Sequence, residues 1–485
     1  MTTLAELISQ GRAVDAHRPI PRAIVDEAAW RGSAEELREG RLTLCGLWGD
    51  RAAVHMALLD TTAKNFAVVS LECPSRRFPS IGRLHPPAIR LERTIRDLWG
   101  IEPEDAPDTR PWLDHREPYR FLPVEGEHLH QIPVGPVHAG IIEPGHFRFT
   151  AGGEIIVRLE ARLGYVHKGV EKLIEGAELS RAAKLAGRVS GDSTVAYAIA
   201  FACAAEAALR ITAPPRARWL RALMAELERL ANHFGDIGAI CNDAAFAMMH
   251  AHCAVLRERV LRASDRAFGH RLMRDCVVPG GTNLDLAETG IAAIRDMLAD
   301  AGRRFPPLIA LYDNTASLQD RTVGTGILRA ELARQFGAGG YVGRASGRSF
   351  DARRDLVYSP YDQLEFAVPV RDEGDVNARV WIRIREVEQS LGLIDQILRR
   401  LPAGPVRTEM PQAQSGEGLA VIEGFRGDIF VWLRLDRDGL VERCHLRDPS
   451  WFQWPLLEAA IDGNIVADFP LCNKSFNCSY SGHDL

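Results

Sequence analysis

Two stretches of alternating side chains between positions 147 and 163 constrain the fold of this chain more than any other feature. In the first, Phe147 and Phe149 alternate with polar neighbours, and the second repeats the pattern with apolar residues at Val157, Leu159, Ala161 and Leu163. A period of two is typical of strands with one buried face. Because Ala151, Gly152 and Gly153 separate the two stretches, they predict an antiparallel hairpin closed by a turn.

The arm that enters this hairpin is rich in groups that exchange protons. His138, Glu143 and His146 lie within nine residues, beside Gly140 and Pro144. A single histidine on a strand is more often structural than functional, but His and Glu together are the side chains most used for acid–base chemistry. The arm therefore predicts a chemical site at the open end of the hairpin.

The composition excludes several classes of protein. A chain of 485 residues exceeds one ordinary domain, and 46% hydrophobic with 25% charged residues is typical of a globular protein. The net charge of -5 offers no basic surface for nucleic acid. No apolar run reaches the roughly 18 residues that span a bilayer, because the nearest, 196–209, is interrupted by Glu206.

The amino end and the cysteines indicate the compartment. Residues 1–19 lack the basic start and the apolar core of a secretory signal. The nine cysteines include no CxxC pair, so neither a disulfide framework nor a zinc or iron–sulfur site is visible. We therefore expect a cytoplasmic chain with reduced thiols, peripheral on the inner face of the cell membrane and held there only through other subunits.

The patterns along the chain predict an α+β fold in three parts. Residues 1–105 are typical of a small α/β docking domain, with a helix at 86–99 that a proline opens and Gly100 ends. Proline and acidic residues at 106–134 predict an extended linker. Residues 135–485 predict a mainly helical bundle that carries the hairpin, with further helices and a second hairpin at 182–209, 219–234, 375–398 and 416–452.

Two polar features of the helical part need an interpretation. The helix at 219–234 places an apolar stripe on one face, opposite Glu226, Glu228 and Arg229. The sequence GAGGYVGRASG at 337–347 imitates a dinucleotide fingerprint, but it follows a helical pattern rather than a strand. We interpret it as a turn that brings nearby arginines to a partner or to the carboxylates of the same domain, namely Arg344, Arg348, Arg353 and Arg354.

The sequence GPVHAGIIEPGHFRF at 135–149, followed by RLGYVHKGVEKLIEG at 162–176, resembles the large subunit of group 4 nickel–iron hydrogenases of the formate hydrogenlyase type. It is more distantly similar to the 49-kDa subunit of respiratory complex I. The sequence HPPAIRLERTIRDLWGIEPEDAPDTRPWLDH at 85–115 is similar to the 30-kDa subunit of complex I. The resemblance implies a docking role for 1–105 and a site-bearing role for 135–485.

The resemblance also implies partners and residue roles. A small iron–sulfur subunit would supply electrons, and membrane-arm subunits would translocate ions. Glu143 matches a glutamate that moves protons away from the metal, with His138, His146 or Asp192 as the next acceptor. Arg426 corresponds to the arginine that faces the metal-ligand pocket. We expect the partner to cover the surface around Arg188 and the carboxyl-terminal residues 469–485.

This sequence departs from the hydrogenase pattern at the metal ligands. In the family, two CxxC pairs hold nickel with four thiolates. The first pair falls on RVSGDS, which places Ser190 and Ser193 at the cysteine positions, and alignment on Pro470 places Leu471 and Lys474 at the second pair. Serine hydroxyls are hard, weak ligands, so the sequence predicts a pocket without the nickel–iron centre.

Three functions stay open from the sequence. The favoured one is a subunit of a membrane-associated, complex I-like oxidoreductase that couples electron transfer to ion translocation through a metal-free pocket. The second is reduction of quinone or another small acceptor, for which the family's tyrosine position holds Gly191, with Tyr197 the nearest tyrosine. The third is a scaffold without chemistry.

Overall fold

The amino-terminal part of the chain is a mixed sheet flanked by helices. The computed structural model describes residues 3–116, 118–137 and 142–485. Helix accounts for 46% and strand for 18%, which confirms the α+β class. The first strands and helices are β1 Arg12–Ala13, β2 His17–Arg18, β3 Arg22–Ile24, β4 Thr43–Gly49, β5 Ala53–Asp60, β6 Asn65–Glu72, β7 Arg77–Pro79, β8 Glu102–Glu104, α1 Leu4–Gln10, α2 Glu27–Arg38 and α3 Ile89–Trp99.

Five of these strands form one sheet in the order β1-β3-β6-β5-β4. The β4, β5 and β6 strands are antiparallel, and β3 joins β6 in parallel. The predicted helix at 86–99 is confirmed as a short 3-10 turn at Pro86–Ala88 followed by α3. Gly100 ends α3 in a left-handed conformation with φ of 61°, which only glycine adopts at little cost.

The predicted hairpin is confirmed and has a third strand. Its strands are β9 Leu129–Val134, β10 His146–Gly152 and β11 Ile155–Arg162, paired antiparallel in the order β11-β10-β9. The third strand lies inside the segment predicted to be an extended linker. Another part of that segment is also packed, because Trp112 is buried between Arg90 and Arg93. Parts of the predicted linker are therefore packed, because its aromatic and apolar side chains find partners in both flanking regions.

Helices make up most of the remaining chain. They are α4 Val170–Ile174, α5 Leu179–Ala186, α6 Thr194–Leu209, α7 Pro215–Asp243, α8 Ala247–Phe268, α9 Glu288–Asn314, α10 Ala316–Thr322, α11 Ala330–Gln335, α12 Gly340–Arg344, α13 Ala352–Asp355, α14 Val376–Arg400, α15 Ser450–Ala460, α16 Phe469–Phe476 and α17 Tyr480–Asp484. The remaining strands are β12 Val277–Val278, β13 Gly281–Thr282, β14 Gly416–Gly424, β15 Gly427–Leu435 and β16 Val441–Arg447.

The second hairpin lies directly against α6. A Cβ atom at Gly418 of β14 would stand 1.8 Å from the carbonyl oxygen of Ala204, so only glycine permits this approach. On its other side β14 pairs in parallel with β2, through Glu417 opposite His17. The amino-terminal and carboxyl-terminal parts therefore share a four-stranded sheet, β16-β15-β14-β2.

A set of buried charges lies in the middle of the helical part. Arg344 donates to Glu386 at 2.9 and 2.6 Å and to Glu423 at 2.9 Å, and Arg353 donates to Glu226 at 2.9 Å. We call this set the core charge network: Glu226, Arg229, Arg344, Asp351, Arg353, Glu386 and Glu423. Its members are almost completely buried, so the arginines at 344 and 353 reach carboxylates of their own chain, as one of the two interpretations predicts. The side chains of α7 that oppose its apolar stripe are buried rather than exposed.

Candidate functional site

Three chain segments that are distant in sequence form the candidate site. Arg426 lies in the turn between β14 and β15, where Gly424 pairs with Gly427. Asp192 lies in a 3-10 turn, Gly191–Ser193, that leads into α6. Ser479 caps α17, its hydroxyl accepting a hydrogen bond from the N–H of Gly482. The turn of the second hairpin and the start of α6 thus bring Arg426 and Asp192 face to face.

An ion pair between Arg426 and Asp192 occupies the centre of the site. The Nη1 and Nη2 atoms of Arg426 donate to the two carboxylate oxygens of Asp192 at 2.9 and 2.5 Å. The Arg426 side chain is 5% exposed and that of Asp192 is 33% exposed, so solvent reaches the carboxylate. Burial is the largest single effect and opposes ionisation of Asp192, but the charge of Arg426 and the hydrogen bonds from Arg426, Ser190 and Ser193 together outweigh it, so the pKa of Asp192 lies below its ordinary value. Asp192 is therefore a fixed anion at neutral pH.

Serine hydroxyls surround this ion pair. Ser190 donates to Asp192 at 2.5 Å, Ser193 lies 3.4 Å from the same carboxylate oxygen, and the hydroxyls of Ser479 and Ser190 are 3.4 Å apart. We call these residues the pocket cluster: Ser190, Asp192, Ser193, Arg426 and Ser479. The predicted Asp192 and Arg426 are thus brought together, beside both serines that stand at the first ligand pair.

The carboxyl-terminal contribution differs from the alignment on Pro470. Leu471 is fully buried in the hydrophobic core, and the residue that contacts Ser190 is Ser479. Ser479 and Gly482 have the spacing of a ligand pair, eight positions after Leu471 and Lys474. The two placements differ because the alignment was anchored on Pro470, which lies in α16, whereas the chain reaches the pocket only after α16 ends.

The residues around the pocket cluster do not fit a nickel–iron centre. A soft metal needs thiolates, whereas Ser190, Ser193, Ser479 and Gly482 offer only hydroxyl groups or no side chain. A Cβ atom at Gly482 would lie 2.4 Å from a carboxylate oxygen of Asp448, so no larger ligand fits there in this arrangement. The same oxygen of Asp448 accepts a hydrogen bond from the hydroxyl of Tyr197 at 2.8 Å. Among the described residues, no group of three or more His, Cys, Asp and Glu could hold a metal ion.

Glu143 lies at the edge of the site. Its carboxylate accepts a hydrogen bond from the backbone N–H of Ser481 at 3.0 Å, so it reaches the carboxyl-terminal segment as the resemblance implies. The side chain is otherwise exposed to solvent.

The two predicted histidines do not join the pocket cluster. His146 is buried on β10, with Nδ1 hydrogen-bonded to the carbonyl of Gly135 at 2.9 Å and Nε2 accepting from Arg148 at 3.3 Å. Burial lowers its pKa, so the ring is neutral and both nitrogens are occupied within the sheet. The contacts of His146 are therefore those of a structural residue in the sheet. His138 lies outside the described residues.

Glu228 of α7 is a titratable group near the site that the sequence analysis placed only on a polar helix face. It is 8% exposed, and its two oxygens accept hydrogen bonds from the N–H groups of Val195 and Ala196 at 2.7 and 3.1 Å. Asn232 of the same helix donates to the carbonyl oxygens of Asp192 and Glu228 at 2.8 and 2.9 Å. The sequence does contain a signal for this site: Glu228 and Asn232 are four residues apart, so both lie on the side of α7 that faces the start of α6.

The surface around Arg188 and residues 469–485, which we expected a partner to cover, is exposed in the first case and mostly buried in the second. Arg188 forms an exposed pair with Asp275, and the segments that flank the first hairpin expose apolar side chains at Val137, Ile142 and Tyr165. By contrast, α16 and α17 are mostly buried by the chain itself, so residues 469–485 offer a partner little surface. Segment Gly191–Leu209 is long and apolar enough to cross a membrane, but 83% of it is buried here as a core helix.

Comparison with protein families gives two matches within this one chain. Residues 23–127 match the description "Respiratory-chain NADH dehydrogenase, 30 Kd subunit". Residues 243–417 match the description "Respiratory-chain NADH dehydrogenase, 49 Kd subunit". The first match includes most of the amino-terminal sheet, and the second extends from the end of α7 to the start of β14.

Similar proteins are found among subunits of redox complexes. Formate hydrogenlyase subunit 5 of Escherichia coli (strain K12) is 30% identical over 467 residues, which cover 90% of this chain and 82% of that protein. Carbon monoxide-induced hydrogenase of Rhodospirillum rubrum is 31% identical over 352 residues, which cover 71% and 96%. A subunit of NADH-quinone oxidoreductase from Syntrophobacter fumaroxidans (strain DSM 10017 / MPOB) is 31% identical over 355 residues, which cover 72% and 95%. The resemblance found in the motifs is therefore confirmed.

Proposed function

This chain belongs to the family that joins the 30-kDa and 49-kDa types of respiratory-chain NADH dehydrogenase subunit in one polypeptide, and we propose that it is the pocket-bearing subunit of a membrane-associated oxidoreductase without a nickel–iron centre. In this proposal the pocket cluster takes the place of the metal. It links electron transfer from an iron–sulfur partner to an ion-translocating membrane arm.

The observation that carries the proposal is the ion pair of Arg426 and Asp192. It joins the position of the first ligand pair to the turn that faces it, with hydroxyls rather than thiolates around it. A pocket that only lost its metal would be free to fill with apolar side chains. Instead this chain keeps a buried arginine and a solvent-accessible carboxylate, an arrangement that responds to a change of charge nearby.

Reduction of quinone by a tyrosine and a histidine has less support. Tyr197 is fully buried and its hydroxyl is bound to Asp448, so its present position does not offer that group to a ligand. Val137, Ile142 and Tyr165, in the segments that flank the first hairpin, are exposed apolar side chains that a docked protein would cover. We assign that surface to the small iron–sulfur subunit.

The proposed proton relay begins at Glu143. Its carboxylate joins the hairpin arm to the segment that carries Ser479, and a docked partner would cover it. A carboxyl group at this place can both accept and release a proton, which is the role of a relay group. The scaffold function instead assigns Glu143 only the hydrogen bond to Ser481.

Purification of the intact complex tests the proposed function. We expect elemental analysis to find no stoichiometric nickel, and a reduced electron donor to drive ion uptake into vesicles that contain the complex. Assays for hydrogen and for quinol on the same preparation separate the alternatives. Stoichiometric nickel with hydrogen evolution would overturn the proposal, quinol formation without ion uptake would favour the second function, and inactivity of a fully assembled complex would favour the scaffold.

A further inference from the structure

Glu228 is a buried carboxyl group without a cationic partner. Its side chain forms no ion pair within the described residues, and its hydrogen-bond donors are the backbone N–H groups of Val195 and Ala196 in the first turn of α6. A buried carboxylate without a cation is costly unless it binds a proton. The helix amides favour the anion, so two opposing effects act on the same group.

A small cavity connects Glu228 with the pocket cluster and with the surface. It has a volume of 90 Å³, and its lining includes Asp192, Glu228, Asn232, Arg257 and Arg271. This volume holds a short row of water molecules, and the polar lining gives those waters hydrogen-bond partners. Arg257 and Arg271 are exposed, so the cavity reaches solvent between α8 and the segment that follows it.

The charges that face Glu228 come from each surrounding segment. Asp192, in the turn before α6, is an anion that favours the protonated form of Glu228, whereas Arg229 on α7 favours the ionised form. From the α8 side, Arg257 and Arg271 line the cavity. Burial has the largest effect, and together with Asp192 it raises the pKa of Glu228 to about 8.

Asp192 is less suited to accept protons. Its carboxylate is held ionised by Arg426, and a proton would have to break that pair. We propose that Glu228, not Asp192, is the group that takes up a proton from solvent through the cavity and holds it beside the pocket cluster. This inference deepens the proposed function, since it names a proton-holding group for the same pocket.

The proton transfer needs no further reactant. A hydronium ion from solvent, relayed by water in the cavity, gives a proton to the carboxylate of Glu228 and leaves water, and the proton returns to solvent as hydronium when the carboxyl group ionises. No electron changes place. Uptake is therefore measurable on the full-length chain alone, independently of electron transfer or ion transport by the complex.

Infrared difference spectroscopy of the purified chain between about pH 6 and pH 10 tests the proposal, because a protonated carboxyl group has its own C=O stretching band. We expect Glu228→Gln to remove one component that titrates near neutral to mildly alkaline pH. Asp192→Asn should move that component to lower pH, by on the order of one pH unit, since it removes an anion and frees the charge of Arg426. A Glu228 that remains ionised throughout, so that E228Q changes no carboxyl band, would overturn the proposal.

Glu92 provides a matched control. It is buried in the amino-terminal sheet region, accepts backbone N–H bonds from Ile81 and Gly82, and has a pKa raised by burial to about 7. Glu92→Gln should remove a different component that Asp192→Asn does not move. If Asp192→Asn leaves the Glu228 component in place in a folded protein, the connection to the pocket is wrong. If E228Q loses the band but the complex that contains it transports ions normally, Glu228 takes up a proton without taking part in ion transport.

Discussion

The core charge network and the pocket cluster use the same kinds of residues under different conditions. In the core charge network, Arg344 and Glu386 are 0% and 1% exposed, and their charges are balanced by several partners. In the pocket cluster, Arg426 has one carboxylate partner, and that carboxylate is one-third exposed and borders a cavity. The difference teaches that burial with complete pairing indicates a structural role, whereas incomplete pairing with access to solvent indicates a group that can change state.

Breaking the core charge network should have the largest effect. Glu386→Gln removes a charge that both Arg344 and His233 contact, and leaves the cation buried. We expect the free energy of unfolding to fall by about 3–5 kcal/mol, the cost of removing one partner of a buried ion pair. Denaturant titration measures it. The control is Glu388→Gln on the same helix, whose pair with Arg385 is exposed and should cost less than about 1 kcal/mol.

Equal losses in the two variants would show that the network is not the structural region that the comparison assumes. Such a result would point instead to a general sensitivity of α14, because both substitutions remove one carboxylate from that helix.

Substitution of Glu143 should affect function and not stability. Glu143→Gln keeps the shape of the side chain and its bond to Ser481 but removes the titration. Ion transport driven by the complex should fall by about 100-fold, as for loss of one acid–base group. The control is Glu154→Gln in the turn at the other end of the hairpin, which should leave transport unchanged. Full transport by an assembled E143Q complex would leave Glu143 only its structural hydrogen bond.

The pH dependence of stability distinguishes Asp192 from a silent surface residue. Its pKa is lowered in the folded chain, because the charge of Arg426 and the hydrogen bonds from Arg426, Ser190 and Ser193 together outweigh the effect of burial. A lowered folded pKa gives stability that is present above the unfolded value and is lost as pH falls through the folded value. The difference in unfolding free energy between the natural chain and Asp192→Asn, about 1 kcal/mol at neutral pH, should therefore shrink below about pH 4. Parallel pH curves for the two proteins would contradict the ion pair.

The fold was more predictable from the sequence than the site. Periodicity located α3, α14 and the strands of both hairpins, because the spacing of apolar residues differs between helices and strands, although β14 and β15 are buried on both faces. The proline and acidic content of residues 106–134 predicted an extended linker, but prolines also occur in packed segments, and Trp112 within this one is buried. The polar side chains of α7 were placed opposite its apolar stripe, and the sequence did not show that they are buried: Arg353 pairs with Glu226, and the backbone N–H groups of Val195 and Ala196 bind Glu228.

Only the site residues to which the resemblance assigns a role could be predicted from the sequence. Arg426 and Asp192 were assigned from what the resemblance implies, Asp192 because it lies within the first ligand-pair segment, and the structure brings the two residues into contact. Ser479 and Gly482 were missed because the pocket depends on where α16 ends, which single-sequence alignment does not fix. Glu228 was missed because its significance comes from the cavity that it shares with Asp192, a feature of packing that no local pattern encodes.

The smallest expected effect concerns the exposed pair of Arg188 and Asp275, which belongs to neither polar region. The two side chains are 39% and 36% exposed, so Arg188→Ala should lower the free energy of unfolding by less than about 1 kcal/mol, as should Arg12→Ala in the exposed pair with Glu72. The two variants differ in location, because only Arg188 lies beside the pocket. If the iron–sulfur partner docks there, R188A should weaken recovery of the partner in purification, most clearly at raised salt, while R12A should not. Equal recovery of the partner with both variants would place its docking surface elsewhere, and the apolar side chains at Val137 and Ile142 would then be the next surface to substitute.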